Sequence, residues 1–407
     1  MTGRRQNTPQ ILMITNGPPW SEWTMSGVSA GLCNELLRRG FLYGAISPRC
    51  KSERFFKRPG LFFKLTEKIG QLIPESTKAA SVSWTSEDSP MINQYLSKAP
   101  PGTSVVYTYV NPEYRDKYNI RRFRWIGISI LDAIRHGSYG HQGLSDEQAR
   151  DKFLKQQATI NQSEAIFTHS SYGADSIAKD FNYPRDKIFP IGAGASLKFK
   201  GDRNVSVNRY RRANVLFVGR DWERKGGPLI YRAFKLLQTK IPNATLTIVG
   251  PSRPPVSGDG IIFEGFLRKH KYFERRRLMK LFRSASIFCT PSVCETWGLV
   301  FVEAAAAGLP IVGTDEWAMP DIVLDGKTGI LCKDRTAESL SNAMFHILND
   351  PERAQIMGLD AIEHVEKVLD WPNVVDRLIA AISPASLYGR EPRWLPQDID
   401  RPWPRNQ

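Results

Sequence analysis

Two glutamates lie eight residues apart in residues 291–304, which read PSVCETWGLVFVEA. Glu295 precedes a predicted helix and Glu303 falls about one turn inside it, so both carboxylates can face one cleft. The amides from 296 to 299 lie at the helix N-terminus, where N–H groups and the helix dipole favour phosphate or sugar oxygens. Gly298 permits a close backbone approach. Either glutamate alone is more simply a surface carboxylate, but the whole pattern favours a polar-ligand site.

A basic loop at residues 218–227 follows one predicted strand and precedes a helix. Arg220 and Lys225 can jointly hold a diphosphate, the arginine through forked contacts and the lysine as a point charge. Gly226 and Gly227 allow the chain to turn tightly. A loop of this kind is by itself more often a solvated turn. Its place after a strand, with the glutamate pair downstream, favours phosphate binding.

Short apolar runs alternate with helix-period segments in both halves of the chain, which is typical of doubly wound parallel sheets. The predicted strands are residues 11–14, 43–47, 105–109, 125–130, 165–169, 187–191, 214–218, 244–249, 286–289 and 310–312. The predicted helices are residues 28–39, 171–180, 228–238, 273–283 and 300–307, with two or three more between 336 and 382.

Residues 200–213 are polar, basic and without periodicity, which indicates an interdomain linker. We therefore predict an α/β protein with two Rossmann-like doubly wound domains facing across a cleft. The first domain spans 1–205 and the second 206–385, and 386–407 form an irregular tail. Ligands bind at the carboxyl ends of the strands in such sheets.

The chain has 407 residues, a formal net charge of +15 and five scattered cysteines. The cysteines predict a reducing compartment, and without a secretory signal or a spanning segment we expect a cytoplasmic protein. The charge favours a polyanionic partner: nucleic acid, anionic lipid or a phosphorylated ligand. No nucleic-acid-binding motif is present, so we expect no nucleic-acid partner. No acidic cluster or zinc-ligand spacing predicts a metal site.

These motifs together resemble the family-4 retaining glycosyltransferases of the GT-B fold. That family has a strand-Gly-Arg…Lys-Gly element, a Pro-Ser…Glu-x₇-Glu element, a Gly-x-Pro-Ile-Val strand and an Asp-Gly-x-Thr-Gly turn. The resemblance covers about residues 214–332. The matching residues are Gly219, Arg220, Lys225, Gly226, Pro291, Ser292, Glu295, Gly298, Leu299, Glu303, Gly308, Pro310, Ile311, Val312, Asp325, Gly326, Thr328 and Gly329.

The resemblance implies a role for each site residue. Arg220 and Lys225 would bind the diphosphate of a nucleotide diphosphate sugar, and Glu303 would hold the ribose hydroxyls. Glu295 would contact the donor sugar and count as the catalytic-site carboxylate, helped by the amides of Thr296, Trp297, Gly298 and Leu299. Transfer would retain the anomeric configuration, with a hydroxyl of a glycan or lipid-linked saccharide as acceptor. The family is usually metal-independent, so no cofactor is expected.

The N-terminal half matches the family less closely. Gly27 stands where the family has a glycine-rich turn before the first helix, which implies a substrate contact there. The family often has a histidine after a central strand, near the donor sugar, but that position is apolar here. Asp132 or His136 could supply the polar contact instead, with His136 as a catalytic-site candidate. His136 is equally well explained as an ordinary surface or core histidine.

Residues 49–68 combine seven basic side chains with interleaved phenylalanines and leucines. A segment of this composition suits an anionic membrane surface, which would make the protein peripheral and its acceptor lipid-linked. The pattern is equally consistent with aromatic rings packed on the N-terminal sheet and solvated charges.

Functions other than sugar transfer also fit parts of the pattern. A non-catalytic nucleotide-sugar-binding subunit or scaffold of a glycan-synthesis complex would explain the weaker N-terminal match. The intact glutamates and basic residues favour an enzyme instead. Epimerases and phosphorylases of the same fold remain open, and a nucleic-acid-binding protein has only the net charge in its favour.

Overall fold

The computed structural model describes residues 9–16, 19–20, 27–47, 90–108, 118–139, 141–199, 205–383 and 394–396. The segment 49–68 and most of the predicted tail lie outside these ranges. Within them the chain forms two six-stranded sheets. Buried side chains from both sheets pack into one shared core cluster.

The first sheet contains only parallel neighbours, in the order β2-β1-β3-β4-β5-β6. Its strands are β1 Ile11–Thr15, β2 Leu42–Ile46, β3 Thr103–Thr108, β4 Ile120–Trp125, β5 Ala165–Thr168 and β6 Ile188–Pro190. All residues of β1, β3 and β5 are buried, as expected for parallel strands covered on both faces.

The second sheet is also parallel throughout, in the order β12-β11-β10-β7-β8-β9. Its strands are β7 Asn214–Val218, β8 Thr245–Val249, β9 Ile261–Gly265, β10 Ile287–Cys289, β11 Ile311–Thr314 and β12 Gly329–Cys332. If β7 is numbered 1 and the sheet is read from β9 to β12, the strand order is 3-2-1-4-5-6, the arrangement of a dinucleotide-binding fold. Its direction reverses between β7 and β10, where such sheets bind their ligands.

Helices connect the strands in both halves. In the N-terminal half they are α1 Val28–Arg39, α2 Pro90–Leu96, α3 Ile130–Arg135, α4 Asp146–Asn161 and α5 Ser171–Phe181. In the C-terminal half they are α6 Gly227–Lys240, α7 Tyr272–Ser284, α8 Leu299–Ala306, α9 Met319–Ile322, α10 Ala337–Leu348, α11 Pro351–His364 and α12 Trp371–Ile382. The expectation of two doubly wound α/β domains is confirmed.

The last helix, α12, returns to the N-terminal half and packs against α1. Arg39 forms an ion pair with Asp376 at 2.6 Å. Buried Arg377 donates from Nε to the carbonyl oxygen of Ile191 at 2.9 Å, and the Trp371 ring fills the space beside Gly31. The described C-terminal end of the chain therefore packs on the N-terminal half. The predicted boundary at 205 stays a prediction.

The predicted strand at 125–130 is wrong in position. The strand is β4, which ends at Trp125, and the chain enters α3 five residues later. Three arginines interrupt the apolar pattern of β4, yet Arg124 is only 2% exposed because tertiary contacts enclose it. Ser129 then caps α3 by accepting from the Asp132 amide at 3.0 Å, which favours helix where an apolar run indicated strand.

Part of the predicted linker is built into the C-terminal half. Residues Val207–Arg212 form a 3-10 turn in which Arg209 and Tyr210 are buried. The Arg209 guanidinium donates to three carbonyl oxygens, those of Phe282, Ala285 and Ala307, at 2.5, 2.6 and 2.8 Å. Those bonds satisfy a buried charge, so a polar sequence here does not mean a free linker.

Candidate functional site

The two motif loops leave neighbouring strands at the reversal point of the second sheet. One loop joins β7 to α6 and the other joins β10 to α8. Gly226 begins α6 with φ of 73° and Gly298 begins α8 with φ of 80°, a left-handed backbone that favours glycine. A Cβ at Gly226 would overlap the Pro291 carbonyl oxygen. The glycines therefore let the two loops touch.

The closest contact between the loops is an ion pair of Lys225 with Glu295. Both residues are buried, at 8% and 5% exposure. Ser292 donates to the same Glu295 oxygen at 3.3 Å, and Arg224 lies 3.9 Å from it. A buried carboxylate is stable only when paired in this way. The two motifs predicted to share a ligand thus meet in one charged cluster.

Arginines extend this cluster towards solvent. Arg224 donates to the Cys294 carbonyl oxygen at 3.2 Å, and its side chain was not singled out from the sequence. Arg220 is exposed, with its guanidinium 5.3 Å from the centre of the Phe266 ring. Arg220 and Lys225 therefore come from one loop but differ in burial. Lys225 is buried in its ion pair with Glu295, whereas Arg220 is accessible to solvent.

Glu303 is held on the buried side of α8, at 1% exposure. One carboxylate oxygen accepts from Ser196 and from Lys269, each at 2.5 Å. The other oxygen, Oε2, has no hydrogen-bond partner among the described residues. A buried carboxylate oxygen without a partner is costly, so this atom is suited to accept from a ligand hydroxyl. Lys269 comes from the loop after β9, and nothing in the sequence singled it or Ser196 out.

The N-terminal half reaches the site through Tyr139, which the sequence did not single out either. Its hydroxyl accepts from the Thr296 amide at 3.1 Å and donates to the Thr296 hydroxyl at 3.2 Å. Its ring lies 5.1 Å from the Arg224 guanidinium. Desolvation of its hydroxyl raises the pKa of Tyr139, although 45% of the residue is exposed, and the Glu295 charge raises it further. The phenol is therefore a neutral hydrogen-bonding group at physiological pH.

A second interdomain contact holds the loop before α8. The Trp297 indole donates to the Ala193 carbonyl oxygen at 2.9 Å. Asp321, from α9, accepts from the Ser171 amide at 2.6 Å and from its hydroxyl at 2.9 Å. That carboxylate caps the start of α5 from the opposite domain. These bonds align the carboxyl ends of the two sheets.

Asp132 and His136 lie together on this face. The hydroxyl of Tyr172 donates to Asp132, and the His136 Nε2 atom is 3.4 Å from an Asp132 oxygen. The His136 ring meets the Trp317 ring edge-on at 4.5 Å. Asp132 is buried and His136 is partly exposed. The two predicted residues are thus neighbours, and His136 contacts the loop after β11 through Trp317.

Three non-glycine residues with left-handed backbone lie at this interface. Tyr139, Cys294 and Trp317 have φ of 55°, 62° and 61°. Such conformations cost about 1–3 kcal/mol and concentrate at functional sites. Cys294 and Trp317 also pack in one cluster with Ile128 and Ala133. Cys294 serves as a small buried side chain.

His169 lies behind the site, directly after β5. Its ring is 5.0 Å from that of Trp125 and 6.5 Å from that of Trp297. Burial lowers the pKa of His169 to about 4, against an opposing hydrogen bond with the Gly192 backbone. The imidazole is therefore neutral at physiological pH, and its nearness to Trp297 makes it a packing neighbour of the site.

Gly27 begins α1 with φ of 95°, so its glycine identity has a conformational cause. Residues 21–26 before it lie outside the described part of the chain. Among the described residues, no group of three or more His, Cys, Asp or Glu side chains could hold a metal ion. The same part of the chain contains no helix with the length and apolar character needed to cross a bilayer.

Comparison with known proteins shows that the segment holding this site resembles one family. Residues 199–364 match the model of the glycosyl transferases group 1 family, and this range contains both motif loops and both glutamates. We call this matched segment, residues 199–364, the group 1 domain. The group 1 domain supplies every buried charged residue described for the reversal point of the second sheet.

Solved structures show that the whole fold is GT-B. Sucrose-phosphate synthase from Thermosynechococcus elongatus superposes with a TM-score of 0.61 at 18% identity, over 91% of this chain and 97% of that one. HepE from Anabaena, solved in complex with UDP, gives a TM-score of 0.57 at 13% identity, over 91% and 98%. At these identities the likeness concerns the fold alone, and it confirms the predicted pair of Rossmann-like domains.

A curated relative is similar in sequence along much of the chain. It is the D-inositol 3-phosphate glycosyltransferase of Rhodococcus jostii, 23% identical over 67% of this chain. The match covers 65% of that relative, so this chain spans less than two thirds of its length.

Proposed function

We propose that this protein transfers a sugar from a nucleotide diphosphate sugar to an acceptor hydroxyl, with retention of anomeric configuration. The observation that carries the proposal is the pair of buried carboxylates at the reversal point of the group 1 domain. Glu295 is held by Lys225, and Glu303 keeps one oxygen without a partner among the described residues. Basic side chains surround both, which suits a polyhydroxylated and anionic donor.

Each donor group has a suitable partner. Arg220 is exposed and can turn onto the diphosphate, beside Lys225. The free oxygen of Glu303 would accept from a ribose hydroxyl. Glu295 would accept from hydroxyls of the donor sugar, and the amides of Thr296, Trp297, Gly298 and Leu299 would bind sugar or phosphate oxygens at the start of α8. The Tyr139 hydroxyl already occupies the Thr296 amide, so a ligand there must displace or share that bond.

The reaction would exchange one glycosidic bond for another. The bond from the anomeric carbon to the β-phosphate oxygen breaks, and a bond from that carbon to the acceptor oxygen forms on the same face. The leaving phosphate takes the acceptor proton. Lys225 and Arg220 neutralise the charge that develops on the diphosphate. Removing one group that stabilises charge in this way typically lowers kcat about 10²–10³-fold. The chain's own residues thus supply the charge that a cation supplies elsewhere.

The N-terminal half would bind the acceptor. Asp132 and His136 face the loop after β11, where they could orient an acceptor or donor sugar, and Gly27 would let the first helix approach a substrate. The names of the Rhodococcus relative and of HepE with UDP support a nucleotide donor and a hydroxylated acceptor. We include glycans and lipid-linked saccharides as acceptors, the latter with residues 49–68 on an anionic membrane surface of the cytoplasmic side.

Donor binding is tested by thermal shift with a panel of nucleotide diphosphate sugars. A ligand that binds only the folded state stabilises it by about 2.7 kcal/mol at one hundred times its Kd. We expect one donor to stabilise the wild type, Glu303→Gln to lose most of that shift, and Glu338→Gln, an exposed glutamate on α10, to keep it. Stabilisation by none of the donors would refute the donor site.

A non-catalytic nucleotide-sugar-binding subunit is the second candidate, because the position where the family often has a histidine is apolar here. Turnover separates the two. We expect the purified chain to transfer or hydrolyse the donor that stabilises it, and nuclear magnetic resonance of the product to show the donor's anomeric configuration. Donor binding without any turnover would favour the non-catalytic subunit, and an inverted product would contradict retention.

A further inference from the structure

The outward face of α7 is basic and aromatic along its whole length. Leu278, Leu281 and Phe282 on its inner side are buried. The outward side chains, all exposed, are Tyr272, Phe273, Arg276, Arg277, Lys280 and Arg283. The helix's one acidic residue, Glu274, turns away to pair with Arg268 at 2.6 Å. We call Lys271, Tyr272, Phe273, Arg276 and Lys280 the basic aromatic face.

Exposed apolar groups occur on α7 and on β9, which the ion pair of Arg277 with Glu264 joins to it. Phe273 is 82% exposed and Tyr272 is 64% exposed, on the first turn of α7. Ile262 and Phe266, on and just after β9, are 42% and 41% exposed. These four make up half of the large hydrophobic side chains that are exposed in the described residues. Exposed apolar groups gathered in one region, unlike single ones, indicate an interaction surface.

Few of the basic charges on this face are neutralised. Arg277, which lies beside the basic aromatic face, pairs with Glu264, and Arg276 lies 5.6 Å from the Tyr272 ring centre. Within the described part of the chain, Arg276, Lys280 and Lys271 form no ion pair with a carboxylate. The face therefore combines unneutralised positive charge with protruding rings.

The basic aromatic face borders the donor site. The Phe266 ring lies under the Arg220 guanidinium. Lys269, three residues before α7, contacts Glu303. A surface that docks on this face would thus lie beside the opening of the donor site.

We propose that the basic aromatic face binds an anionic lipid bilayer. Rings on a rigid convex helix can enter the headgroup region, and lysines and arginines beside them attract anionic headgroups at about 1 kcal/mol each. A convex helix lacks the groove that a nucleic-acid strand follows. The inference adds a location to the proposed transfer reaction, since an acceptor in that bilayer would be presented at the donor site. The surface is separate from residues 49–68.

The test is flotation of the full chain with phosphatidylcholine vesicles, with and without phosphatidylglycerol. We expect binding only to the anionic vesicles, and weaker binding as salt screens the charges. The double variant Phe273→Ser/Arg276→Glu should reduce binding about tenfold or more, because it removes a ring and reverses one charge. The matched control is Ile356→Ser/Arg353→Glu, which makes the same kinds of change on the exposed face of α11 and should leave binding unchanged.

Equal loss in both double variants would overturn the proposal, and so would anionic-vesicle binding that survives Phe273→Ser/Arg276→Glu. Binding to duplex DNA without binding to anionic vesicles would also overturn it. The donor-induced thermal shift is measured on the same proteins. Because neither substituted residue contacts the donor-site glutamates, failure of vesicle binding with an intact shift refutes this surface alone, whereas loss of the shift in the wild type refutes the proposed function.

Discussion

The two domains meet edge to edge, and their edges are built by different means. In the group 1 domain, loops from the adjacent strands β7 and β10 bring Lys225 and Glu295 into one buried ion pair. The N-terminal edge contributes single side chains from separate places, such as Tyr139 after α3 and Ser171 at the start of α5. The proposed donor side is therefore organised within one domain, whereas the N-terminal side becomes part of the site only when the domains approach.

This contrast has a consequence for stability. Breaking a buried charge pair strongly destabilises the fold, because removing one partner leaves the other uncompensated in a low dielectric. Contacts between domains are individually weaker, since an ordinary hydrogen bond contributes about 1 kcal/mol net. We expect substitutions at the donor side to affect folding and catalysis together, and substitutions at the N-terminal side to affect mainly the closed arrangement.

The largest effect is expected at Lys225. Lys225→Met should reduce the free energy of unfolding by about 3–5 kcal/mol, because Glu295 stays buried without its partner. Transfer activity should fall about 10²–10³-fold as well. Urea unfolding and a transfer assay measure the two effects. The control from the other domain is Lys155→Met, which breaks an exposed pair with Asp151 and should cost less than about 0.5 kcal/mol.

A double variant distinguishes charge from packing at the same place. Lys225→Met/Glu295→Leu removes both buried charges, so most of the stability should return while activity stays lost. If Lys225→Met costs no more than Lys155→Met, the pair is effectively solvated and the contrast between the two edges is wrong.

Sequence motifs singled out more of the charged cluster in the group 1 domain than of the contacts from the N-terminal half, for the same structural reason. Glu295, Glu303 and Lys225 belong to short segments in which a strand, a turn with glycine and a helix start follow each other, so local pattern defines their place. Tyr139 and Lys269 reach the site only through tertiary contacts. Nothing adjacent in sequence distinguishes them from other surface tyrosines and lysines.

Local sequence pattern was similarly limited in predicting the strands and helices of the fold. Strands with uninterrupted apolar runs, such as Asn214–Val218, are predicted with their bounds. β4 was misplaced because arginines fill positions where a buried strand normally has apolar residues. The helix Asp146–Asn161 buries only Thr159 and Ile160, so its apolar stripe is too narrow to produce a helical pattern. β12 is short and follows an Asp-Gly turn, and only the turn was predicted.

The second prediction concerns pH and His169, on the N-terminal side. Its folded pKa of about 4 lies below the unfolded value of about 6.5. As pH falls, the unfolded chain therefore binds a proton at a higher pH than the folded chain. The free energy of unfolding decreases as pH drops from about 6.5 to about 4. The contribution is roughly 2–3 kcal/mol for a nearly fully buried ring. Unfolding free energies of wild type and His169→Gln, measured across this range, should show a flatter dependence in the variant.

His364 provides the comparison within the group 1 domain, because burial together with the charges of Lys327 and Arg377 lowers its pKa to about 4. His364→Gln should flatten the dependence of the unfolding free energy on pH over the same range. His346→Gln, at an exposed position on α10, is the matched control and should leave the profile as in the wild type. A His169→Gln profile that coincides with that of the wild type would contradict the prediction.

The smallest effect is expected at the junction itself. Tyr139→Phe removes the hydroxyl that bonds the Thr296 amide and hydroxyl but keeps the ring beside Arg224. The loss should be about 1 kcal/mol and should favour separation of the domains, seen as a larger radius of gyration in small-angle X-ray scattering. Tyr183→Phe is the control, since its hydroxyl bonds the Ser163 carbonyl oxygen within the N-terminal domain. It should cost a similar free energy without changing the radius. Equal radii for both variants would mean that Tyr139 does not hold the two edges together, and that the contacts of Asp321 and Trp297 are sufficient.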